Sequence, residues 1–155
     1  MARRQTIGSQ SQYLGSYENS VQSRRHGATA VGGRAGHAAL DDGTLSLDIA
    51  MPGTGRKGNS PEQLFAMGYA ACFDSAVNAV ARTKKIPLGG SKTKAEVGLG
   101  QTEAGGYKLD VDLSVEITGL NQADAWTLVE AAHQVCPYSN ATRNNIDVRL
   151  HVTAV

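Results

Sequence analysis

The fold of this chain depends on one segment, residues 60–74, which reads SPEQLFAMGYAACFD. Ser60 suits the N-cap of a helix, Pro61 suits the first helical position, and Gln63 completes a capping box. The apolar pattern continues to about Thr83, where a proline- and glycine-containing segment follows, so we predict a helix of roughly 35 Å. The predicted helix is apolar on nearly every side, and such a helix is normally buried.

Segments typical of β-strands flank this helix on both sides. Apolar and polar residues alternate in them with a period of two, as in strands with one buried face, at residues 45–49, 93–101, 107–117 and 146–152. Two shorter strands are predicted at 28–31 and 37–40, on either side of a glycine-rich turn. Asn121 suits the N-cap of a second helix, which Pro137 ends. This order predicts an α+β fold with antiparallel sheets.

Composition limits the kinds of protein that this chain can be. It has 155 residues, 41% of them hydrophobic, which fits one domain with its own core. A net charge of +1 gives no electrostatic reason to expect nucleic acid or an anionic membrane as a partner. The apolar stretch 64–73 is too short to span a bilayer, and without a visible signal peptide we expect a cytoplasmic protein. Residues 1–27 are polar, so we predict a flexible arm before a single domain at 28–155.

The chain contains two cysteines, Cys72 within the long helix and Cys136 where the second helix ends. Each alone fits a buried structural cysteine, which packs as a small hydrophobic residue. A reducing cytosol disfavours a structural disulfide but permits a transient catalytic one. We therefore interpret the two thiols as a redox pair.

Cys72 needs a source of activation from outside its own helix. Burial raises the pKa of a thiol, and Cys72 lies too far from the helix N-terminus for the dipole to lower it. The candidate cation is Arg34, on the glycine-flanked turn, and Glu62 could orient it through a bidentate ion pair. Glu62 and Cys72 lie about 15 Å apart along the helix axis. One arginine could hardly reach both within a chain, so we expect a partner subunit to complete the site.

Two other kinds of site use some of the same residues. His133 and Cys136 have a spacing that metal sites use, with Cys72 and His37 as further possible ligands. The chain lacks a second paired set of ligands, so we expect no bound metal. A cysteine hydrolase would need a histidine placed to act as the base for Cys72, and no spacing in the sequence indicates one.

Three motifs resemble those of the organic hydroperoxide resistance proteins, the Ohr branch of the OsmC/Ohr superfamily. NSPEQLFAMGYAACF at 59–73 looks like the first cysteine motif of that family, and HQVCPYSNATR at 133–143 looks like the second. GGRAG at 32–36 resembles its arginine turn. The resemblance covers about residues 28–155, and Asn144 stands where the family usually has a glycine.

The resemblance implies a thiol peroxidase for organic hydroperoxides. It implies an intertwined homodimer with antiparallel sheets around two long central helices. Carried onto this chain, Cys72 is the peroxidatic cysteine, Cys136 is the resolving cysteine, Arg34 stabilises the thiolate and polarises the peroxide, and Glu62 holds Arg34. The family implies no bound cofactor, with a dihydrolipoyl group on a partner protein as the reductant.

The long helix also offers an apolar lining for the hydrocarbon part of a peroxide. The candidate substrate-binding residues are Leu64, Phe65, Met67 and Phe73. The runner-up interpretation is a non-catalytic redox-sensing or ligand-binding module with the same fold. Multiple turnover with dihydrolipoamide would separate the two.

Overall fold

A computed structural model describes residues 26–155 of the protein. The predicted flexible arm, 1–27, thus lies outside the described residues except for its last two. The first sheet comprises β1 (Ala28–Val31), β2 (His37–Leu40) and β3 (Ser46–Asp48), which pair antiparallel in that order. These strands confirm the short N-terminal strands that the sequence predicts.

The turn between β1 and β2 presents Arg34 and depends on glycine. Residues Gly33–Ala35 form one 3₁₀ turn. Gly32 has a φ of +79°, which is in the left-handed region that favours glycine. A Cβ on Gly36 would lie 1.8 Å from the carbonyl oxygen of Val31, so no side chain fits there. The two glycines therefore let the chain reverse tightly and carry Arg34 at the tip.

The long helix, α1 (Pro61–Thr83), begins with the predicted capping box. Ser60 Oγ accepts from the Gln63 backbone N–H at 3.2 Å, and Gln63 Oε1 accepts from the Ser60 N–H at 2.8 Å. The sequence predicts a helix that is buried on nearly every side, but in the single chain only one face of α1 is buried. The reason is that α1 packs against the core on that face alone. On the outer face, Met67 is 60% exposed. The buried face is formed by Tyr69, Phe73, Ala76, Val77, Val80 and Ala81.

The length and apolar composition of α1 would also allow it to cross a membrane. The core helix of a soluble domain meets the same criterion. The inner face of α1 forms part of the hydrophobic core of the domain, and 33% of its apolar window is buried.

The second sheet is mixed, with β4 (Gly90–Gln101) antiparallel to β5 (Tyr107–Thr118) and β6 (Val148–Ala154) parallel to β5. The prediction of antiparallel sheets is therefore wrong for β6. The reason is the connection: α2 (Gln122–Val135) and α3 (Pro137–Thr142) separate β5 from β6. A helical crossover of this length returns the chain to the starting end of the sheet, so the next strand runs parallel.

The core lies between the second sheet and the helices α1 and α2. From β5 it contains four alternating side chains that are at most 1% exposed, Val111, Leu113, Val115 and Ile117.

After α3, Asn144 has a φ of +63°. Asparagine tolerates this conformation better than most residues, which explains how it stands in for glycine. α1 has 23 residues and α2 has 14, so two long central helices would require a second copy, and that arrangement stays a prediction.

Candidate active site

The two cysteines meet in space although 64 positions separate them in the chain. The sulfur atoms of Cys72 and Cys136 are 3.6 Å apart, and both are free thiols. Cys136 is completely buried, whereas Cys72 is partly exposed. A reagent from solvent therefore reaches Cys72 first, and Cys136 can react with what forms there.

Cys136 occupies the break between α2 and α3 that the sequence predicts. Its backbone is extended, with φ −64° and ψ 123°, as expected for a residue before proline. Its N–H donates to the carbonyl of Ala132 at 2.9 Å, and its own carbonyl accepts from the N–H of Asn140 at 2.9 Å. One residue thus closes α2 and opens α3, and the thiol is held at the bend that aims it toward α1.

Residues 26–155 of the same chain do not activate Cys72. Burial raises the pKa of the Cys72 thiol above its ordinary value, the backbone N–H of Tyr138 opposes that rise, and neighbouring Cys136 adds to it. Among these residues, the side-chain hydrogen-bond partner of the Cys72 sulfur is Cys136, with no arginine or lysine in that position. A reactive thiolate would therefore need a positive charge from outside this part of the chain.

Arg34 and Glu62 form a bidentate ion pair within one chain. Arg34 Nη1 donates to Glu62 Oε2 at 2.9 Å and Nη2 donates to Oε1 at 2.6 Å. The hydrogen bonds from Arg34 lower the pKa of the Glu62 carboxyl to about 2, and Glu62 in turn raises the pKa of Arg34. The structure brings these two residues together, but gives Arg34 no hydrogen bond to either thiol of the same chain. Its role at Cys72 stays a prediction.

A buried polar network, which the sequence analysis missed, joins the two cysteine motifs. Tyr69 Oη lies 2.9 Å from Ser139 Oγ and 3.3 Å from Thr142 Oγ1. His133 Nδ1 lies 2.9 Å from the same Ser139 oxygen, and burial lowers the pKa of His133. Tyr69 is three residues before Cys72 and Ser139 three after Cys136, so the network fixes α3 against α1. The tyrosine and serine within the two motifs were the only signal, and spacing alone does not show that they touch.

The ring of Tyr138 packs against aromatic side chains of α1. Its ring lies 5.9 Å from that of Phe65 and 5.6 Å from that of Tyr69, measured between centroids. Gly68 makes this approach possible, because a Cβ there would lie 2.9 Å from the Tyr138 hydroxyl. The aromatic packing therefore holds the segment whose backbone N–H favours the Cys72 thiolate.

The four predicted substrate-binding residues do not share one surface. Phe73 is 0% exposed, so the structure argues against it as a substrate contact, because the core encloses its side chain. Phe65 packs on Tyr138, Met67 faces outward, and Leu64 lines a cavity of about 100 Å³ under the first sheet.

An open groove of about 620 Å³ lies beside Glu62 instead. Its wall is mainly apolar and comes from the loop before α1, from α1 itself and from β4. The lining includes Met51, Pro52, Ala66, Ala95, Val97 and Leu99. No local sequence pattern indicates this groove, because its walls come from segments that are far apart in the chain.

The residues that the sequence offers as metal ligands do not come together as one set. His37 lies on β2 and pairs with Asp48 at 3.1 Å, whereas His133 bonds to Ser139. Over residues 26–155, no three His, Cys, Asp or Glu side chains lie close enough together to hold a metal ion.

Comparison with known proteins gives the family. Residues 53–151 match the family described as OsmC-like protein. Organic hydroperoxide resistance protein OhrA of Bacillus subtilis is 52% identical over 130 residues, which are 80% of this chain and 92% of OhrA. The organic hydroperoxide resistance protein of Xanthomonas axonopodis pv. citri is 49% identical over 128 residues, 79% of this chain and 89% of that protein.

Solved structures agree with the sequence comparisons. The crystal structure of an organic hydroperoxide resistance protein from Legionella pneumophila superposes with a TM-score of 0.81 at 51% identity, covering 84% of this chain and 98% of that one. The chain therefore belongs to the OsmC family, in its organic hydroperoxide resistance branch.

Proposed function

We propose that the protein is a thiol peroxidase that reduces organic hydroperoxides to alcohols. The observation that carries the proposal is the pair of free thiols 3.6 Å apart, of which Cys72 alone is accessible. The names of its relatives, which refer to organic hydroperoxide resistance, support the choice of substrate.

The proposed cycle has three steps. The Cys72 thiolate attacks one peroxide oxygen, the O–O bond breaks, and the alkoxide leaves as an alcohol after taking a proton, so that Cys72 becomes a sulfenic acid. The Cys136 thiol then attacks that sulfur, which forms the disulfide and releases water. A dihydrolipoyl group outside the protein reduces the disulfide by thiol exchange and leaves as the cyclic lipoyl disulfide. A reducing cytoplasm suits such a cycle.

A homodimer forms part of the proposal. Cys72 needs a positive charge that residues 26–155 of its own chain do not bring to it, and Arg34 is held by Glu62 about 15 Å away along the helix axis. The exposed apolar outer face of α1, with Met67, suits contact with a second copy. In this arrangement the partner subunit's Arg34 lowers the pKa of the Cys72 thiol and polarises the bound peroxide.

The groove beside Glu62 supports an organic substrate over hydrogen peroxide. Its apolar lining would bury the hydrocarbon part of an alkyl or fatty-acid hydroperoxide, and hydrogen peroxide has no such part. We therefore expect the specificity constant to rise with the hydrophobicity of the peroxide.

The test is turnover of cumene hydroperoxide with dihydrolipoamide as the reductant. Cys72→Ser should abolish consumption, whereas Cys136→Ser should allow one sulfenate to form and then stop. Thr127→Ala is the control, since Thr127 is an exposed hydroxyl residue on α2, away from both cysteines in the sequence. Retained turnover in Cys72→Ser would refute the proposal. A wild-type protein that is oxidised once and does not cycle would be a redox sensor instead.

A further inference from the structure

A second sulfur atom lies next to the guanidinium of Arg34. Arg34 Nη1 donates to Met51 Sδ at 3.6 Å, and the same Nη1 donates to Glu62 at 2.9 Å. Met51 is 38% exposed and lines the groove beside Glu62. A thioether is thus accessible from the groove and is held against a permanent positive charge.

We propose that Met51 is a modification site, at which an organic hydroperoxide in the groove oxidises the thioether to the sulfoxide. The inference rests on the proposed function to the extent that the oxidant is the same class of peroxide.

The reaction balances without any further reagent. The sulfur lone pair attacks one peroxide oxygen, the S–O bond forms as the O–O bond breaks, and the peroxide proton ends on the leaving alkoxide to give the alcohol. Methionine is oxidised by two electrons and the peroxide is reduced by two. Arg34 favours the reaction because its N–H groups and charge stabilise the alkoxide as it forms.

Oxidation of Met51 would change the position of Arg34. A thioether is a weak hydrogen-bond acceptor, and a sulfoxide oxygen is a strong one. The product would compete with Glu62 for Nη1 and would restrain the guanidinium that the proposed cycle uses. Peroxide excess would therefore slow the enzyme.

Free N-acetylmethionine amide, added to the same reaction, provides the control for this inference. Its thioether is fully exposed and has no guanidinium beside it, whereas Met51 is 38% exposed, so exposure alone predicts slower oxidation of Met51. Activation by Arg34 predicts the opposite order. The ratio of the two oxidation rates in one reaction is independent of peroxide concentration.

The experiment uses full-length Cys72→Ser protein, in which the peroxidatic thiol no longer consumes the oxidant. The protein is treated with cumene hydroperoxide, and sulfoxide at each methionine is followed by peptide mass spectrometry. We expect Met51 to react faster than the free methionine amide. Adding Arg34→Ala should lower the Met51 rate about tenfold, a smaller effect than that of a buried oxyanion donor because Arg34 is partly exposed. An unchanged urea denaturation curve shows that the fold of the variant is intact.

Two outcomes would overturn the inference: Met51 reacting no faster than the free methionine amide, or a Met51 rate that does not depend on Arg34. Turnover of wild-type protein with dihydrolipoamide tests the proposed function separately, so that either proposal can fail without the other. For the effect on activity, wild type and Met51→Leu are compared by the share of activity that each keeps after peroxide treatment. Equal losses in the two proteins would refute the restraint on Arg34.

Discussion

The two sheets of this protein carry the two halves of the candidate site, and they hold them in different ways. The first sheet carries Arg34 on a turn, and every residue of its strand β1 is exposed. The second sheet supports α1 and α2, and its strand β5 has four side chains that are at most 1% exposed. The thiols are therefore positioned by a close-packed core, and the arginine is positioned by its ion pair with Glu62.

This difference separates stability from activity. The thiol half of the site comprises Cys72, Cys136 and the core beneath them, and a change there should disturb the packing of the whole domain. The arginine half comprises Arg34 and Glu62. A change in that half should alter reactivity and leave the domain folded, because exposed ion pairs contribute little to stability. Each prediction below tests one side of that contrast.

The largest effect should come from the core under the thiols. Phe73→Ala removes a fully buried ring one residue from Cys72 and should lower the free energy of unfolding by about 3–5 kcal/mol. Val31→Ala in the first sheet is the control, because Val31 is 72% exposed and should change stability by no more than about 0.5 kcal/mol. Urea denaturation measures both, and similar losses would show that the first sheet is packed as tightly as the second.

The next effect concerns Arg34. Arg34→Ala should lower peroxide turnover about a hundredfold, the scale for loss of a charged donor to a developing oxyanion. Its free energy of unfolding should change by less than about 1 kcal/mol, since the arginine side chain is 42% exposed. Arg34→Lys keeps the charge but loses the bidentate hydrogen bonding, so its turnover should lie between that of the wild type and that of Arg34→Ala. A large loss of stability in Arg34→Ala would contradict the contrast between the two halves.

The same contrast shows which features the sequence could predict. The long helix, its capping box and the hairpin of β4 and β5 were predictable, because their signals are local patterns of capping and alternation. The parallel pairing of β6 was not, since strand direction depends on where a crossover returns the chain.

The site divides in the same way. Complementary charge and a glycine-flanked turn predicted an ion pair between Arg34 and Glu62. That ion pair is present in the structure. The contact of Tyr69 with Ser139 joins residues 70 positions apart, and no local pattern encodes it. The burial of Phe73 was also missed, because an apolar helix gives no sign of which face a sheet will cover.

A smaller effect should follow from loosening the polar network in the thiol half. Tyr69→Phe removes the hydroxyl that holds Ser139, and with it part of the restraint on Cys136. We expect disulfide formation to slow about tenfold, because loss of a buried hydrogen bond costs on the order of 1–2 kcal/mol. The rate at which Cys72 forms its sulfenate should stay unchanged.

Rapid-quench alkylation and mass spectrometry separate these two steps. Thr127→Val is the control, since Thr127 is an exposed hydroxyl residue on α2 that bonds to Ala123 and takes no part in the network. Equal slowing of both steps would mean that Tyr69 supports the fold in general and does not position Cys136.

The smallest effect is the pH dependence of the ion pair in the arginine half. Arg34 lowers the pKa of Glu62 from 4.5 to about 2 in the folded protein, and the unfolded chain keeps the ordinary value. The stabilisation is therefore complete above about pH 4.5 and is lost as the pH falls toward 2, because the unfolded state then binds the proton more readily. Screening at the exposed arginine limits it to about 1 kcal/mol or less. The difference in unfolding free energy between wild type and Glu62→Gln should consequently be larger near neutral pH than at about pH 3. If the difference is the same at both pH values, the ion pair with Glu62 does not hold Arg34 against α1. Contacts with a second copy would then have to position Arg34.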